Sequence, residues 1–418
     1  MPGAAFTVLT LLLVLASGLL NTRALALQQA DSTAQRIEET LEQVRADLIA
    51  MRRDIHRHPE VSGQEERTAR LVAERLQTLG LTVETGVGGH GVVGVLRGGQ
   101  PGAVVAYRAD MDAVLSNAPD PVPFRSETPG VRHICGHDIH TAVALGVAEA
   151  LAAIRDDLPG TVKFIFQPAE ENIQGAQAMI RDGVLKRPAP AAIFAFHTAP
   201  MEVGQVGATE GMGLPGLDRI VVTVNGTGDV ESVARAYADV IAGVSTVGPP
   251  GSASTGADFI YASSRARQDP SGANQWVVQG FVKASGEANY AAAKSTIQRR
   301  LAELKPADVA YGLSYQDRVL PDMINDADLV RASLDPIRSV VGDDGLILVN
   351  AATPYFGEDF AFFQQEIPGA MYWLGVSNTE EGIVGMPHSP GFVADEEAIM
   401  VGARTMVAVL LDFLEHHR

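Results

Sequence analysis

Three short apolar runs constrain what this chain can fold into more than any other feature. They are Ala103-Val104-Val105-Ala106-Tyr107, Thr161-Val162-Lys163-Phe164-Ile165-Phe166 and Ala191-Ala192-Ile193-Phe194-Ala195-Phe196. Each has the length of a strand, and near-continuous apolarity without alternation means that both faces are covered. Strands of that kind, interleaved with helical patterns, predict an α/β fold. Each run also ends in chemically competent residues. Arg108-Ala109-Asp110-Met111-Asp112 follows the first, Gln167-Pro168-Ala169-Glu170-Glu171 the second, and His197 the third. Sites in α/β proteins lie beyond the carboxyl ends of strands, so three strands here deliver metal-competent or acid–base side chains to one edge.

Between the first two runs stands Cys135-Gly136-His137-Asp138-Ile139-His140-Thr141, which holds the only cysteine of the chain. Thiolate and imidazole bind Zn²⁺, Co²⁺ or Mn²⁺ well, and a glycine between two ligands lets the backbone turn both toward one point. Taken alone, the stretch is equally compatible with a buried structural cysteine beside surface histidines. A lone cysteine excludes an internal disulfide framework. His56 and His58, beside two arginines and Pro59, read as structural. His133 and His140 read as hydrogen-bonded support for neighbouring ligands.

The chain is long enough, at 418 residues, for two domains, and its formal net charge of -18 argues against nucleic acid as a partner. Residues Phe6 to Leu20 are almost wholly apolar and lead to Ala24-Leu25-Ala26, the pattern of a signal peptide over 1–26. The expectation is a secreted or periplasmic protein with no stable membrane span after cleavage. The alternative is an uncleaved N-terminal anchor.

Helical spacing predicts an amphipathic helix over Gln35–Arg57, and Ser62 with Glu65 predicts a capping box for a helix ending at Gly80. Strands are predicted over Leu81–Glu84 and Val92–Leu96, and a helix from Thr141 to Ile154. From Leu217 the apolar strands with carboxylate-laden ends give way to weaker ones: Arg219–Val224, a helix Val230–Val244, a strand Gln275–Lys283 and a helix Tyr290–Leu304. The earlier character returns with a helix Asp328–Val341, a strand Ala370–Leu374 and a closing helix Asp395–Leu414. This divides the chain into a signal peptide (1–26), a first catalytic part (31–216), an inserted smaller α+β domain (217–322) and a second catalytic part (323–418).

The motifs RRDIHRHPE at Arg52, RADMDA at Arg108, CGHDIHTA at Cys135, FQPAEE at Phe166, FHTAPMEVGQVG at Phe196, GEDFAFF at Gly357 and HSPGFVADEEAI at His388 resemble the M20 metallopeptidase family. The resemblance is to its amidohydrolase branch, with hippurate hydrolases and plant auxin-conjugate hydrolases. It implies a mixed-sheet, zinc-peptidase-like catalytic domain with an inserted lid that commonly pairs two copies. It implies two divalent metal ions, Mn²⁺ or Zn²⁺ with Co²⁺ or Ni²⁺ as further candidates, held by Cys135, His137, Glu171, His197 and His388. Glu170 would be the general base, taking a proton from the attacking water and returning it to the leaving amine. Asp110 would orient a ligand. The substrate would be an N-acyl amino acid or a small peptide. Independently of the family, adjacent glutamates after a strand are expected to point in different directions, one toward metal and one free for proton transfer.

The chain departs from that family pattern in one place. Relatives carry a lid histidine in a Gly-Gly-His-Ala-Ala-type segment, and this chain has Asn225-Gly226-Thr227-Gly228-Asp229-Val230-Glu231 there, with no histidine between His197 and His388. Losing an oxyanion donor costs roughly 10² to 10³ in turnover. Asn274 and Lys283 are the candidate substitutes in substrate binding. A catalytically weak metal- and ligand-binding homologue is the competing expectation.

Overall fold

The structure is a computed structural model describing residues 32–250, 258–271, 274–350 and 352–417. The expected signal peptide lies outside the described residues. Among these, no helix is long and apolar enough to cross a membrane.

The N-terminal half contains α1 (32–57), α2 (Glu66–Thr78), β1 (Thr82–Val87), β2 (Gly91–Arg97), β3 (Gln100–Asp110), the short pair β4 (Val114–Leu115) and β5 (Val131–Arg132), α3 (His137–Ala153), β6 (Pro159–Gln167), α4 (Gly175–Arg181), β7 (Ala192–Glu202), β8 (Val206–Ala208) and β9 (Gly211–Leu214). Next come β10 (Leu217–Gly226), α5 (Val230–Ala242), β11 (Ile260–Gln268), β12 (Gln275–Ala284), α6 (Glu287–Glu303) and β13 (Val309–Leu320). The chain closes with β14 (Met323–Asn325), α7 (Ala327–Gly345), β15 (Leu346–Leu348), α8 (Ala361–Glu366), β16 (Gly369–Ser377) and α9 (Glu397–His416).

Eight strands form one mixed sheet in the order β1-β2-β6-β3-β7-β16-β8-β15. Its centre, β6-β3-β7-β16, is parallel throughout. The three apolar runs are therefore adjacent in space, and their carboxyl ends share an edge. Side chains of α1, α2, α3, α7 and α9 cover one face in a core with Leu48, Leu76, Leu145, Phe164, Phe196 and Leu410. On the other face α4 and α8 pack Met179 and Phe363 against Ile165, Ile193 and Met371. Helix α3 is buried from His137 to Leu151, as expected of a helix apolar all round.

The second sheet, β11-β12-β10-β13, is antiparallel. Its alternation is that of a half-covered sheet: Ile220, Val222, Val224, Val278 and Val282 pack with Tyr237, Ile241, Tyr290 and Ile297 of α5 and α6, and the opposite face carries Arg219, Val221, Gln279 and Phe281. Two of its strands, β11 and β13, have no counterpart among the sequence expectations, because runs such as Ser263-Ser264-Arg265 are polar on the open side. The predicted capping box is not formed. Glu65 accepts from Gly63 N and from Ala169 N, both at 2.8 Å, and Ser62 Oγ donates to Asp112 Oδ2 at 2.6 Å. Both side chains are drawn toward the sheet edge instead of capping α2.

Candidate metal centre

The turn into α3 brings the first donors together. Gly136 sits between Cys135 and His137 at φ 91°, and a Cβ there would lie 2.7 Å from Thr198 Cγ2 and 2.8 Å from its Oγ1. Only glycine fits both the left-handed backbone and the approach to β7. Thr198 Oγ1 donates to Cys135 O at 2.6 Å, which ties the turn to β7. His137 falls on the first turn of a helix that starts four residues before its expected beginning at Thr141.

Around this turn the imidazoles are oriented by buried partners. Thr198 N donates to His140 Nε2 at 2.8 Å, so the proton of His140 resides on Nδ1, 2.6 Å from Asp110 Oδ1. His197 Nδ1 donates to Thr198 O at 2.8 Å, leaving Nε2 as a lone pair 3.4 Å from Cys135 Sγ. His137 Nδ1 stands 3.2 Å from Asp112 Oδ1 and 3.7 Å from Asp110 Oδ1. Asp110 thus bonds directly to His140, and Asp112 is the closer carboxylate to His137. Asp112 was not singled out from the sequence, although it lies two residues from Asp110. Its Oδ2 also accepts from Glu171 N at 3.0 Å.

The two glutamates do not diverge by strand alternation as expected. Strand β6 ends at Gln167, and Ala169 (φ 56°) and Ile173 (φ 62°) bracket a tight turn. A β-branched residue at positive φ is a strained conformation of the kind that concentrates at functional sites. The turn aims both carboxylates at His137, whose Nε2 is 3.9 Å from Glu170 Oε2 and 3.8 Å from Glu171 Oε1. His388, in the loop after β16 and itself at φ 60°, donates its N–H to Ile134 O at 2.7 Å and places Nε2 3.4 Å from Glu171 Oε1.

Of the clusters whose ligand atoms lie within 4.8 Å of one another, two contain Cys135, namely Cys135–His137–His197 and Cys135–Glu171–His388, and a third, His137–Glu170–Glu171, lies between them. The first two share the thiol. The electrostatics are those of a site that wants cations. Burial, with Glu171 and Glu170 adding to it, pushes the Cys135 thiol well up. Burial and the neighbouring Glu358 and Glu171 raise Glu170 well above the carboxylate range, and burial lifts Glu171 to about 7. Burial opposes charge on His137, yet Asp110 and Asp112 hold it up at about 10. Burial keeps His197 neutral and lowers His388 to about 4. His137 Nε2 and Glu171 Oε1 are buried with no hydrogen-bond partner, a state that costs free energy unless a ligand engages them, as a metal ion would by taking the place of the His137 Nε2 proton. The donor set, its orphaned atoms and its excess of carboxylates fit divalent metal ions.

Beneath Glu170 lies a buried network that sequence reasoning did not pick out. Arg108 Nη1 donates to Asp110 Oδ2 at 2.6 Å, and its Nη2 reaches Glu358 Oε1 at 2.9 Å and Asp359 Oδ1 at 3.1 Å. Its Nε donates to Gln167 Oε1 at 2.9 Å. Arginine after an apolar strand and the acidic pair in GEDF were the available signals. Of the remaining histidines, His56 is 2.8 Å from Asp138 Oδ2 and 3.1 Å from Asp120 Oδ2, a structural role. His133 is buried with neither ring nitrogen bonded, contrary to its expected support role.

Cys135, Glu171, His197 and His388, together with Glu170, line a cavity of about 610 Å³ whose other walls include Met201, Leu214, Leu320, Phe356 and Trp373. Lys283 is its only Lys or Arg among the described residues. It donates to Tyr355 O at 3.2 Å, and burial lowers it to about 8 against the pull of Glu170. Asn274 stands at the other end of β12, where Nδ2 donates to Gly226 O at 3.0 Å, and it does not line this cavity. Asp229 accepts from Ser232 N at 3.1 Å and from Ser232 Oγ at 2.7 Å, capping α5.

A mixed sheet with thiol, imidazole and carboxylate donors gathered at one edge defines the class, a hydrolase of the metal-dependent α/β type. The chain belongs to peptidase family M20: the profile described as Peptidase family M20/M25/M40 matches residues 106–412. It is 33% identical over 385 residues to N-acetylcysteine deacetylase of Bacillus subtilis, covering 88% of this chain and 97% of that one. It is 30% identical to IAA-amino acid hydrolase ILR1-like 4 of Arabidopsis thaliana, over 88% and 86% of the two chains. Among solved structures, the Bacillus subtilis YXEP protein, described as a dinuclear metal-binding peptidase of the M20 family, aligns with a TM-score of 0.74 and 29% identity, covering 90% of this chain and 99% of that one.

Proposed function

We propose that this protein hydrolyses the amide bond of N-acyl amino acids or small peptides. The observation that carries this reading is the convergence of Cys135, His137, Glu171, His197 and His388 on two donor groups sharing one thiol, with Glu170 beside them. These five would hold two divalent ions, Mn²⁺ or Zn²⁺ first and Co²⁺ or Ni²⁺ as alternatives. Such ions make water acidic near neutral pH and polarise a carbonyl. Glu170, facing the cavity but absent from both thiol-sharing groups, takes a proton from the attacking water and delivers it to the leaving amine nitrogen. Arg108, Glu358 and Asp359 fix the floor under that carboxylate. Asp110 and Asp112 hold His140 and His137 in their tautomers.

The test is a panel of N-acyl amino acids assayed with each metal, alongside Glu170→Gln. The variant is expected to lose at least about 10² in kcat while its metal content, measured by atomic absorption, stays near that of the parent. Full rate in Glu170→Gln would remove Glu170 as the base. A second reading, a metal-binding homologue of low turnover, draws on Asp229, which caps α5 at the place where the family resemblance implies an imidazole. Tight metal binding with no turnover on any substrate would favour it.

The same reading takes 217–322 as a lid inserted between catalytic parts 31–216 and 323–418, pairing two copies. Light scattering tests the pairing. Export through the 1–26 segment, to a secreted or periplasmic location, is tested by N-terminal sequencing of the mature protein. A retained Met1 would favour the anchored form.

A further inference from the structure

Next to the catalytic cavity the structure holds a second compartment, of about 440 Å³, on the open face of the β11-β12-β10 sheet. Ile173 and Leu217 line both spaces, so the two adjoin at an apolar boundary, one side of which is the strained residue of the Glu170–Glu171 turn. Beyond that boundary the lining changes character. Arg219 and Arg265 enter it from the two strands that flank β12. Arg219 pairs in register with Phe281, and Arg265 with Gln279, two residues along. Period-two alternation puts both guanidinium stems on the face away from α5 and α6, their Cα atoms about 12 Å apart diagonally across the intervening strand.

Among the described residues, neither arginine has a carboxylate partner or a hydrogen-bond acceptor. The segments between 250 and 274 outside the described residues contain no Asp or Glu. Some arginines of the chain are paired, as with Arg318 on Asp218 and Glu287, and Arg404 on Glu38 and Glu42, and Arg219 and Arg265 are both exposed. With 50 acidic against 32 basic side chains, the overall field repels anions. Two guanidiniums without a carboxylate partner, lining one cleft together, make a local positive patch that would let one approach. Guanidinium is also the group suited to gripping a carboxylate through paired N–H donors.

We propose that this compartment is a subsite for a substrate carboxylate remote from the scissile amide, held between Arg219 and Arg265. The proposal rests on the amidohydrolase reading and narrows its substrates to amides bearing a second acidic group. Such a substrate has an apolar middle passing Ile173 and Leu217, and its first carboxylate lies within reach of Lys283. Arg219 and Arg265 act in binding, not in bond cleavage.

The experiment compares two matched pairs on metal-supplemented full-length enzyme: N-benzoyl-glutamate with N-benzoyl-glutamine, and N-adipoyl-leucine with its ω-amide. They place the extra charge on the amine side and on the acyl side. In one pair the acid is expected to have a KM lower by roughly tenfold, with the advantage shrinking as salt rises. In an Arg219→Gln/Arg265→Gln double variant that advantage disappears, and the neutral partner changes by less than about twofold. Absence of an acid preference in both pairs overturns the proposal, as does a preference that survives in the double variant. So does a double variant whose dimer content changes while its preference does not, which would assign the arginines to a second copy of the chain. If no compound is hydrolysed, the catalytic reading fails by itself. The subsite is then decided by calorimetric titration of the Glu170→Gln protein with the same four compounds, where equal affinity for acid and amide overturns it.

Discussion

Asp112 touches two of the candidate ligands from outside the donor set. One oxygen faces His137 Nδ1, and the other accepts from Ser62 Oγ and Glu171 N. Asp112→Asn keeps the volume but replaces an acceptor with an amide that cannot serve all three. Metal affinity is expected to drop about 10- to 100-fold, read by competition with a chelator, while the far-ultraviolet circular dichroism stays unchanged. Asp120 tests a different interaction, away from the donors. Burial opposes its charge, but His56 Nε2, Ser126 N and Arg132 hold its pKa at about 2. Its folded pKa lies below the unfolded 3.8, so the stabilisation is present above the unfolded value and fades as pH falls toward the folded one. Asp120→Asn should cost about 2 kcal/mol at neutral pH. In urea titrations that difference should vanish as the solution is acidified to about pH 2. Equal destabilisation at both ends would assign the effect to packing.

At the scale of elements, the entry to α3 decides whether Cys135 and His137 can face one point. Gly136→Ala puts a Cβ into Thr198 at a backbone conformation that alanine avoids. The expected loss is about 2 kcal/mol in denaturant unfolding, with reduced metal content in the purified protein. An alanine variant of unchanged stability and full metal content would show that the turn tolerates a Cβ. This element also shows how far periodicity reads. His137 to His140 is polar, so the helical pattern becomes visible only at Thr141, and the first turn forms because tertiary partners bury those polar groups. The opposite failure occurs at β11, where small and charged residues such as Ser263, Arg265 and Arg267 hide a strand whose other face packs on α5 and α6. At Glu170–Glu171 the strand rule gives the wrong geometry, because the left-handed Ala169 and Ile173 are invisible in residue identities.

Across the whole molecule, Arg108 joins segments 250 residues apart in sequence, from β3 to Glu358 and Asp359 before α8. It is wholly buried. Replacing it by methionine leaves Asp110, Glu358 and Asp359 without their shared cation, and breaking a buried ionic cluster on one side costs about 3–5 kcal/mol. Arg108→Met should therefore lower the denaturant midpoint strongly, and Arg108→Lys should restore only part, since a point charge cannot reach three carboxylates and Gln167 together.

By itself the sequence determined the covered α/β sheet, because unbroken apolar runs have no other stable place. It also located the six side chains, from four separate motifs, that the structure brings to one edge. Only the tertiary structure decided that Cys135 is shared by both donor groups, that Asp112 and not Asp110 is the closer partner of His137, and that Asn274 lies far from Lys283. These are relations between segments distant along the chain. Pattern along one chain carries which residues are buried or competent, but distances across the fold depend on strand register, left-handed turns and close backbone approach, which no residue specifies alone.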